Sequence, residues 1–162
     1  MGNYLHFAMQ FILKIAWHYF FKTGCCTKQS IMKKLNKLVF IDNDHSANEH
    51  HELVSRNADV AHEVLSFTDS NTALEYLSYT PHTPKFPELI FINVHIPNGY
   101  RFIKEVKRFS AYDESHTRIS YLVPTLNSED ITIFFKYGMK HFYFKPLGEY
   151  EMVKVIREIF SL

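Results

Sequence analysis

From Leu38 to the end of the chain, apolar runs typical of buried strands alternate with stretches whose apolar residues recur at helical spacing. The five strand candidates are KLVFID, HEVLSFT, ELIFINV, RISYLV and HFYFK, and a helix candidate follows each of them. Strands and helices that alternate in this way need right-handed crossovers, which give a parallel sheet covered by helices on both faces. The sequence therefore predicts an α/β fold with a doubly wound, five-stranded parallel sheet.

The first predicted helix covers residues 46–56. Asp44 or Ser46 has the side chain of an N-cap residue, and Leu53 and Val54 are expected to face the sheet. The YTPHTPKFP segment contains three prolines and is predicted to be a loop before the third strand.

The first 31 residues do not continue the alternation. They include the stretch YLHFAMQFILKIAWHYFF, in which a polar residue recurs every four positions, at His6, Gln10, Lys14, His18 and Lys22. A membrane span needs about 20 largely uninterrupted apolar residues, so this spacing argues against one. Three interpretations remain open: an amphipathic helix that packs on the body or on a partner, an interfacial membrane helix, and a leader outside the native fold.

A domain boundary is expected between residues 31 and 32, because MKKLNKLVFIDND beginning at Met32 reads like a natural start that leads into the first strand. The chain then divides into a basic, partly amphipathic N-terminal extension, residues 1–31, and a domain of residues 32–162. With 162 residues and 46% hydrophobic residues, the chain is long enough for one domain with a substantial core.

Charge is unevenly distributed along the chain. Residues 1–41 contain six lysines and no acidic side chain, whereas residues 42–162 hold all 17 acidic side chains. A nucleic-acid-binding domain needs a basic stripe on its folded part, so we expect no nucleic-acid partner. The adjacent Cys25 and Cys26 fit neither a disulfide framework nor a spaced metal-ligand pattern.

Polar residues follow several predicted strands at the edge where ligands bind in doubly wound sheets. The first strand is followed by a short run of acids and an amide, and the third strand ends in an amide. The residues to consider at this edge are Asp42, Asn43, Asp44, Asn93, Val123, Thr125 and Lys145.

In that order, these strand-end residues resemble the receiver domain of bacterial two-component response regulators. The resemblance covers about residues 36–160, and the segments that carry it are VFIDND, LIFINVHIPNG, LNSED and FYFKPL. It implies a flavodoxin-like, three-layer fold with strand order 2-1-3-4-5 and a cytoplasmic signalling role. An unrelated flavodoxin-like domain is the alternative, but it would leave the Lys145-Pro146 step unexplained.

Receivers take a phosphoryl group from a kinase phosphohistidine onto an aspartate at the end of the third strand. A Mg²⁺ ion, held by an acidic pair, by that aspartate and by a backbone carbonyl, neutralises charge on the transferring group. A lysine, a Ser or Thr hydroxyl and an aromatic residue respond to the phosphate. The resemblance places the acceptor at Asn93, the acidic pair at Asp42 and Asn43, the carbonyl at His95, the hydroxyl at Val123, the lysine at Lys145 and the aromatic at Phe142.

The sequence departs from the receiver pattern at the acceptor and at the acidic pair. Asn93 has a neutral amide with little nucleophilicity, so no acyl phosphate is expected there. Asn43 replaces a second carboxylate, which leaves Asp42 as a weak metal candidate unless the neighbouring Asp44 compensates in part. Hard cations favour carboxylate oxygens, so Mg²⁺ is expected to bind weakly here.

The switch position departs as well, whereas the lysine is kept. Val123 has no hydroxyl, and Thr125 comes two residues too late unless the strand slips. Lys145 matches the receiver lysine, and we expect its ammonium group to contact Asp42 or Asn93 and to hold the pocket in one state. The alternative is that Lys145 only sets the turn into the last helix.

Several histidines lie near these positions. His45, His50 and His51 are expected to lie on a solvated face of the first helix rather than to form a metal cluster. His95 lies beside the pocket and is expected to be an ordinary loop histidine.

These departures lead us to expect a single-domain, receiver-like protein that has lost phosphoacceptor chemistry, is not an enzyme and acts by binding through its fourth helix, fifth strand and fifth helix. Its expected partner is a signalling protein, such as a histidine kinase or another regulator, and a homodimer remains open. The alternative is a working response regulator that is phosphorylated at an atypical site. A hydrolase or nucleotide-dependent enzyme is least supported, because the sequence has no Gly-rich phosphate loop and no Ser-His-Asp order.

Overall fold

The computed structural model describes residues 34–80, 86–137 and 142–160, in which strands and helices alternate from β1 to α5. The strands are β1 Leu35–Ile41, β2 Ala61–Phe67, β3 Leu89–Asn93, β4 Arg118–Val123 and β5 Phe142–Phe144. The helices are α1 His45–Asn57, α2 Ser70–Tyr79, α3 Gly99–Val106, α4 Ser128–Tyr137 and α5 Glu149–Phe160. The predicted extension, residues 1–31, lies outside the described residues, so its separation from residues 32–162 stays a prediction.

The strands form one parallel sheet with the order β2-β1-β3-β4-β5. β1 lies beside β3 in a register that pairs Leu38 with Leu89 and Ile41 with Ile92. The chain moves from β1 outward to β2 and then returns to β3 on the other side of β1. The strand order therefore reverses between β1 and β3, which is where ligands bind in sheets of this kind. The predicted fold class and strand order are confirmed.

The two central strands are apolar on both faces. All side chains from Leu38 to Ile41 and from Leu89 to Ile92 are completely buried. Continuous apolar runs of this kind are typical of parallel strands that are covered on both sides. The rings of Phe40 and Phe91 stack with their centroids 5.3 Å apart, so the strands that lead to the candidate site are joined by aromatic packing as well as by backbone hydrogen bonds.

Aspartates cap the first two helices. The Asp44 carboxylate accepts a hydrogen bond from the Ala47 amide at 3.2 Å, and the Asp69 carboxylate accepts one from the Thr72 amide at 2.8 Å. The Thr72 hydrogen bonds also hold the pKa of Asp69 below its ordinary value. Asp44 was a candidate cap in the sequence, and each of the two aspartates satisfies an amide that the helix itself leaves free.

The sheet-facing side of α1 differs from the prediction. Val54 is buried as expected, but Leu53 is 58% exposed. The buried residues of α1 are Asn48, His51, Val54 and Ser55. Residues three and four apart share one face of a helix, so Val54 groups with His51, and Leu53 is turned away from the sheet.

The helices of the described part of the chain are 8 to 13 residues long. Among these residues, no helix combines the length and the apolar character that crossing a bilayer requires.

Gly99 opens α3 where two backbone segments touch. A Cβ atom at this position would lie 2.8 Å from the carbonyl oxygen of Val94. Replacing Gly99 with Ala is expected to lower the free energy of unfolding by about 2 kcal/mol, measured by urea denaturation, because backbone must move to make room. Gly148→Ala is the matched control, since its Cβ would meet only the end of the Glu151 side chain. An equal loss in both variants would contradict this explanation.

Candidate functional site

Three polar side chains meet at the carboxyl edge of the sheet. Asp42 directly follows β1, Asn93 is the last residue of β3, and Lys145 directly follows β5. Asp42 and Asn93 are 1% and 4% exposed, and the Lys145 side chain is 12% exposed. Because parallel strands end at the same edge, three polar residues from distant parts of the chain form one nearly closed cluster, which we call the Asp42 pocket.

The Asp42 carboxylate is the centre of this pocket. Its Oδ2 atom accepts a hydrogen bond from Lys145 Nζ at 2.6 Å. Its Oδ1 atom accepts hydrogen bonds from Asn93 Nδ2 and from the Asp44 backbone amide, both at 3.1 Å. A buried carboxylate is stable only when it is paired and hydrogen-bonded, and Asp42 is both. The contact predicted between Lys145 and Asp42 is present.

Both ends of the Asn93 carboxamide are engaged. Nδ2 donates to Asp42, and Oδ1 accepts a hydrogen bond from the His95 backbone amide at 3.0 Å. These partners distinguish the two ends of the amide, because a carboxylate needs a donor and an N–H group needs an acceptor. The position that resembles the receiver acceptor therefore presents an N–H group to the pocket, where a receiver would present a carboxylate oxygen.

The other site residues singled out from the sequence lie outside this hydrogen-bonded cluster or at its margin. Asn43 is exposed, and the exposed Asp44 uses a carboxylate oxygen to cap α1 while its backbone amide binds the pocket. Val123 is completely buried at the end of β4, Thr125 is exposed beyond it, and Phe142 is buried at the start of β5. Of the site residues predicted from the sequence, Asp42, Asn93 and Lys145 are therefore joined by side-chain hydrogen bonds.

Solved structures of response regulators share this architecture. A two-component response regulator from Cytophaga hutchinsonii matches with a TM-score of 0.68 and 20% identity, over 80% of this chain and 100% of that one. The Vibrio cholerae chemotaxis protein CheY4 matches with a TM-score of 0.62 and 21% identity, over 77% and 98% of the two chains. The phosphorylated cyanobacterial phytochrome response regulator RcpA matches with a TM-score of 0.58 and 20% identity, over 76% and 91%. The chain has the receiver fold.

No protein-family profile and no curated protein sequence matches the chain. The likeness to receivers is therefore one of structure, at sequence identities that establish the fold alone. What this receiver fold does has to be argued from its own pocket.

The receiver pattern implies a Mg²⁺ ion, and the residues at this edge do not fit one. Mg²⁺ requires near-octahedral oxygen coordination, usually with carboxylates among the ligands. Asp42 is the carboxylate of the pocket, and both of its oxygens already accept hydrogen bonds. Within the described residues, no group of three or more His, Cys, Asp and Glu side chains is arranged to hold a metal. The pocket therefore suits the Lys145 ammonium group better than a divalent ion.

A buried carboxylate that sequence reasoning missed lies in the first turn of α4. Asp130 is 4% exposed, and its Oδ1 atom lies 2.8 Å from Nε2 of His95. Its Oδ2 atom accepts a hydrogen bond from the Asn127 amide, and its own amide donates to Asn127 Oδ1. This reciprocal pair is a capping box, and the N-x-x-D spacing in LNSED was the available signal. His95, expected to be an ordinary loop histidine, instead contacts a buried acid.

Two histidines of α1 hold the turn that follows Lys145 in this receiver fold. His50 Nε2 lies 3.0 Å from the Leu147 carbonyl oxygen, and the Leu147 amide donates to His51 Nε2 at 3.3 Å. His51 is completely buried and stacks on Phe40, with ring centroids 5.2 Å apart. Burial lowers the pKa of His51 to about 4. The expectation of a solvated face is wrong for His51, because the side of α1 that carries it packs on the sheet.

An open cleft of about 580 Å³ lies beside the pocket. It separates the segment that follows β3 from the start of α4, and among its lining residues are His95, Asn98, Arg101, Asn127 and Asp130. The contact between His95 and Asp130 therefore borders solvent, whereas the Asp42 pocket is nearly closed.

Proposed function

We propose that this chain is a receiver-fold module of bacterial two-component signalling that is not phosphorylated at position 93 and acts by binding another signalling protein. The module is not an enzyme in this proposal, and its cytoplasmic location is part of the same proposal. The response regulators among the structural neighbours support the signalling context. The other parts of the proposal rest on one observation, which is that both ends of the Asn93 carboxamide already make hydrogen bonds.

Phosphorylation of a receiver forms a bond between phosphorus and a carboxylate oxygen, which attacks as an anion. The Asn93 carboxamide is neutral, its nitrogen donates to Asp42, and its oxygen accepts from the His95 amide. Neither end is an available nucleophile. Asp42 carries a carboxylate, but it is 1% exposed and its oxygens accept three hydrogen bonds, so a phosphodonor has poor access to it.

Within the Asp42 pocket, the carboxylate is balanced by a cation of the chain itself. Lys145 neutralises Asp42 across 2.6 Å, and Asn93 joins the end of β3 to the same carboxylate. The ends of β1, β3 and β5 are thus held together by the chain's own side chains. This arrangement supports a module that presents one surface permanently rather than one that switches on phosphorylation.

The binding surface in this proposal includes α4, β5 and α5, and its partner is a histidine kinase or another regulator. Tyr150 in the first turn of α5 is 69% exposed and is a contact residue of the kind that protein interfaces favour. Phe134 on α4 is 1% exposed and belongs to the core.

The test is incubation of the full chain with acetyl phosphate and Mg²⁺, followed by intact-mass measurement. We expect the mass to stay unchanged, while a receiver with its acceptor aspartate gains one phosphoryl group under the same conditions. A stable gain of one phosphoryl group by this chain would overturn the proposal and favour a working response regulator. Fragmentation of the adduct would then identify the atypical site.

A further inference from the structure

We propose that His95 couples the Asp42 pocket to helix α4, so that the bonded pocket holds α4 in one position without a phosphoryl group. The proposal rests on the proposed function, because it takes α4 to be part of the binding surface. It explains how α4 is held in place although Val123 has no hydroxyl at the position that the receiver resemblance assigns to one.

A continuous path of hydrogen bonds joins the pocket to the helix. Lys145 donates to Asp42 at 2.6 Å, and Asn93 donates to the same carboxylate at 3.1 Å. The backbone amide of His95 donates to Asn93 Oδ1 at 3.0 Å, and the His95 ring lies 2.8 Å from Asp130 Oδ1. His95 is therefore bonded to the pocket through its backbone and to α4 through its side chain.

The segment that carries His95 is held tightly enough to transmit a displacement of Asn93. The Ile96 amide donates to the Asn93 carbonyl oxygen at 3.3 Å, and the Gly99 amide donates to the Ile96 carbonyl oxygen at 3.1 Å. The Ser70 hydroxyl donates to the Pro97 carbonyl oxygen at 2.9 Å, which fixes the middle of the segment to α2. With so many backbone groups bonded, His95 has little freedom to move independently of the pocket.

Asp130 connects His95 to the N-terminal cap of α4. One of its oxygens binds the His95 ring and the other accepts from the Asn127 amide that precedes the helix. Asp130 is only 4% exposed, so loss of the His95 contact leaves a buried carboxylate oxygen short of a partner. The first turn of α4 is then expected to shift or to open more often.

The receiver resemblance implies a hydroxyl at the end of β4 that responds to the phosphate. Val123 occupies that position and has no hydroxyl. The contact between His95 and Asp130 instead connects the end of β3 directly to α4. His95 lies two residues after Asn93, and Asp130 lies three residues after the capping residue Asn127.

The test measures backbone amide chemical shifts of the full chain in four proteins: wild type, Asn93→Ala, His95→Ala and the double variant. We expect Asn93→Ala to shift the amides of residues 128–131 when His95 is present, and that response to vanish in the His95→Ala background. Hydrogen-exchange protection of the same amides is expected to fall about tenfold in His95→Ala, as for loss of one charge-assisted hydrogen bond. Equal responses of α4 to Asn93→Ala in both backgrounds would overturn the coupling.

Two further variants separate coupling from simple loss of a contact. His116→Ala removes an exposed histidine that lies 2.8 Å from Asp113, and it is expected to leave residues 128–131 unchanged. His95→Gln keeps an N–H donor that can reach Asp130, and it is expected to restore the α4 response. His95→Leu also removes the contact with Asp130 but keeps a larger apolar side chain, and it takes the place of His95→Ala if that variant does not fold. Failure of His95→Gln to restore the response, in a folded protein, would count against His95 as the positioning residue.

These measurements use neither phosphate nor a partner protein. A phosphoryl adduct in the mass experiment would therefore overturn the proposed function and leave the coupling intact. Independent responses of the pocket and α4 would overturn the coupling and leave the proposed function intact.

Discussion

Replacing Lys145 with methionine is expected to lower the free energy of unfolding by about 3 kcal/mol at neutral pH. The Lys145 ammonium group lies 2.6 Å from the Asp42 carboxylate, which is 1% exposed. Methionine keeps an unbranched apolar side chain but removes the charge, so the carboxylate remains buried with two neutral donors, Asn93 and the Asp44 amide. The loss follows from leaving a buried charge unpaired. Urea denaturation of the wild type and of Lys145→Met measures this loss of stability.

A second lysine provides the control for this prediction. Lys107 lies 3.9 Å from Glu114, and both side chains are largely exposed. Lys107→Met is expected to change the free energy of unfolding by less than about 0.5 kcal/mol, because exposed ion pairs contribute little.

A double variant separates unpaired charge from lost packing. Asp42→Asn combined with Lys145→Met removes both charges of the pocket and is expected to be more stable than Lys145→Met alone. A Lys145→Met variant as stable as Lys107→Met would show that Asp42 does not depend on its cation.

The fold was predictable because its signals are local. Apolar runs, helical spacing and capping aspartates are properties of short segments, and Asp44 marks the start of α1 in both sequence and structure. The pairing of Lys145 with Asp42 was expected from the receiver resemblance, in which Lys145 matches the receiver lysine. The strand order places β3 and β4 between β1 and β5, so the contact also depends on the long Lys145 side chain reaching along this edge to Asp42.

Burial within a helix was less predictable, because it depends on how the helix is rotated against the sheet. Leu53 and His51 lie two positions apart on α1, yet Leu53 is 58% exposed and His51 is completely buried. From residue type alone, the leucine would be expected to be buried more deeply than the histidine. The sheet-facing side of α1 is decided by the packing of Val54 and by the contact of His51 with the Leu147 amide, neither of which is visible in a local pattern.

The contact between His95 and Asp130 was missed for a third reason. The two residues are 35 positions apart and lie in segments whose relative placement depends on the loop after β3 and on the start of α4. The capping spacing in LNSED predicts the bond between Asp130 and Asn127, which is local. It carries no information about which side chain meets the remaining oxygen of Asp130.

Acidification is expected to destabilise the protein through His51. Burial lowers the pKa of His51 from its ordinary value of 6.5 to about 4, and the neighbouring His50 acts in the same direction. Between these two pH values the unfolded chain binds more protons at this position than the folded chain does. The stabilisation from His51 is therefore fully present above pH 6.5 and is lost as the pH falls toward 4, by up to about 3 kcal/mol.

His51→Gln tests this pH dependence, because glutamine does not titrate and can still accept a hydrogen bond from the Leu147 amide that His51 now accepts. Urea denaturation of both proteins between pH 6.5 and 4 isolates the His51 contribution, since the other histidines and the carboxylates titrate in both. The stability difference between wild type and His51→Gln is expected to shift by about 3 kcal/mol in favour of the variant across this range. His62→Gln, at an exposed position on β2, is expected to show no comparable shift. A difference between wild type and His51→Gln that does not change with pH would mean that the buried imidazole accepts a proton as readily in the folded chain as in the unfolded one.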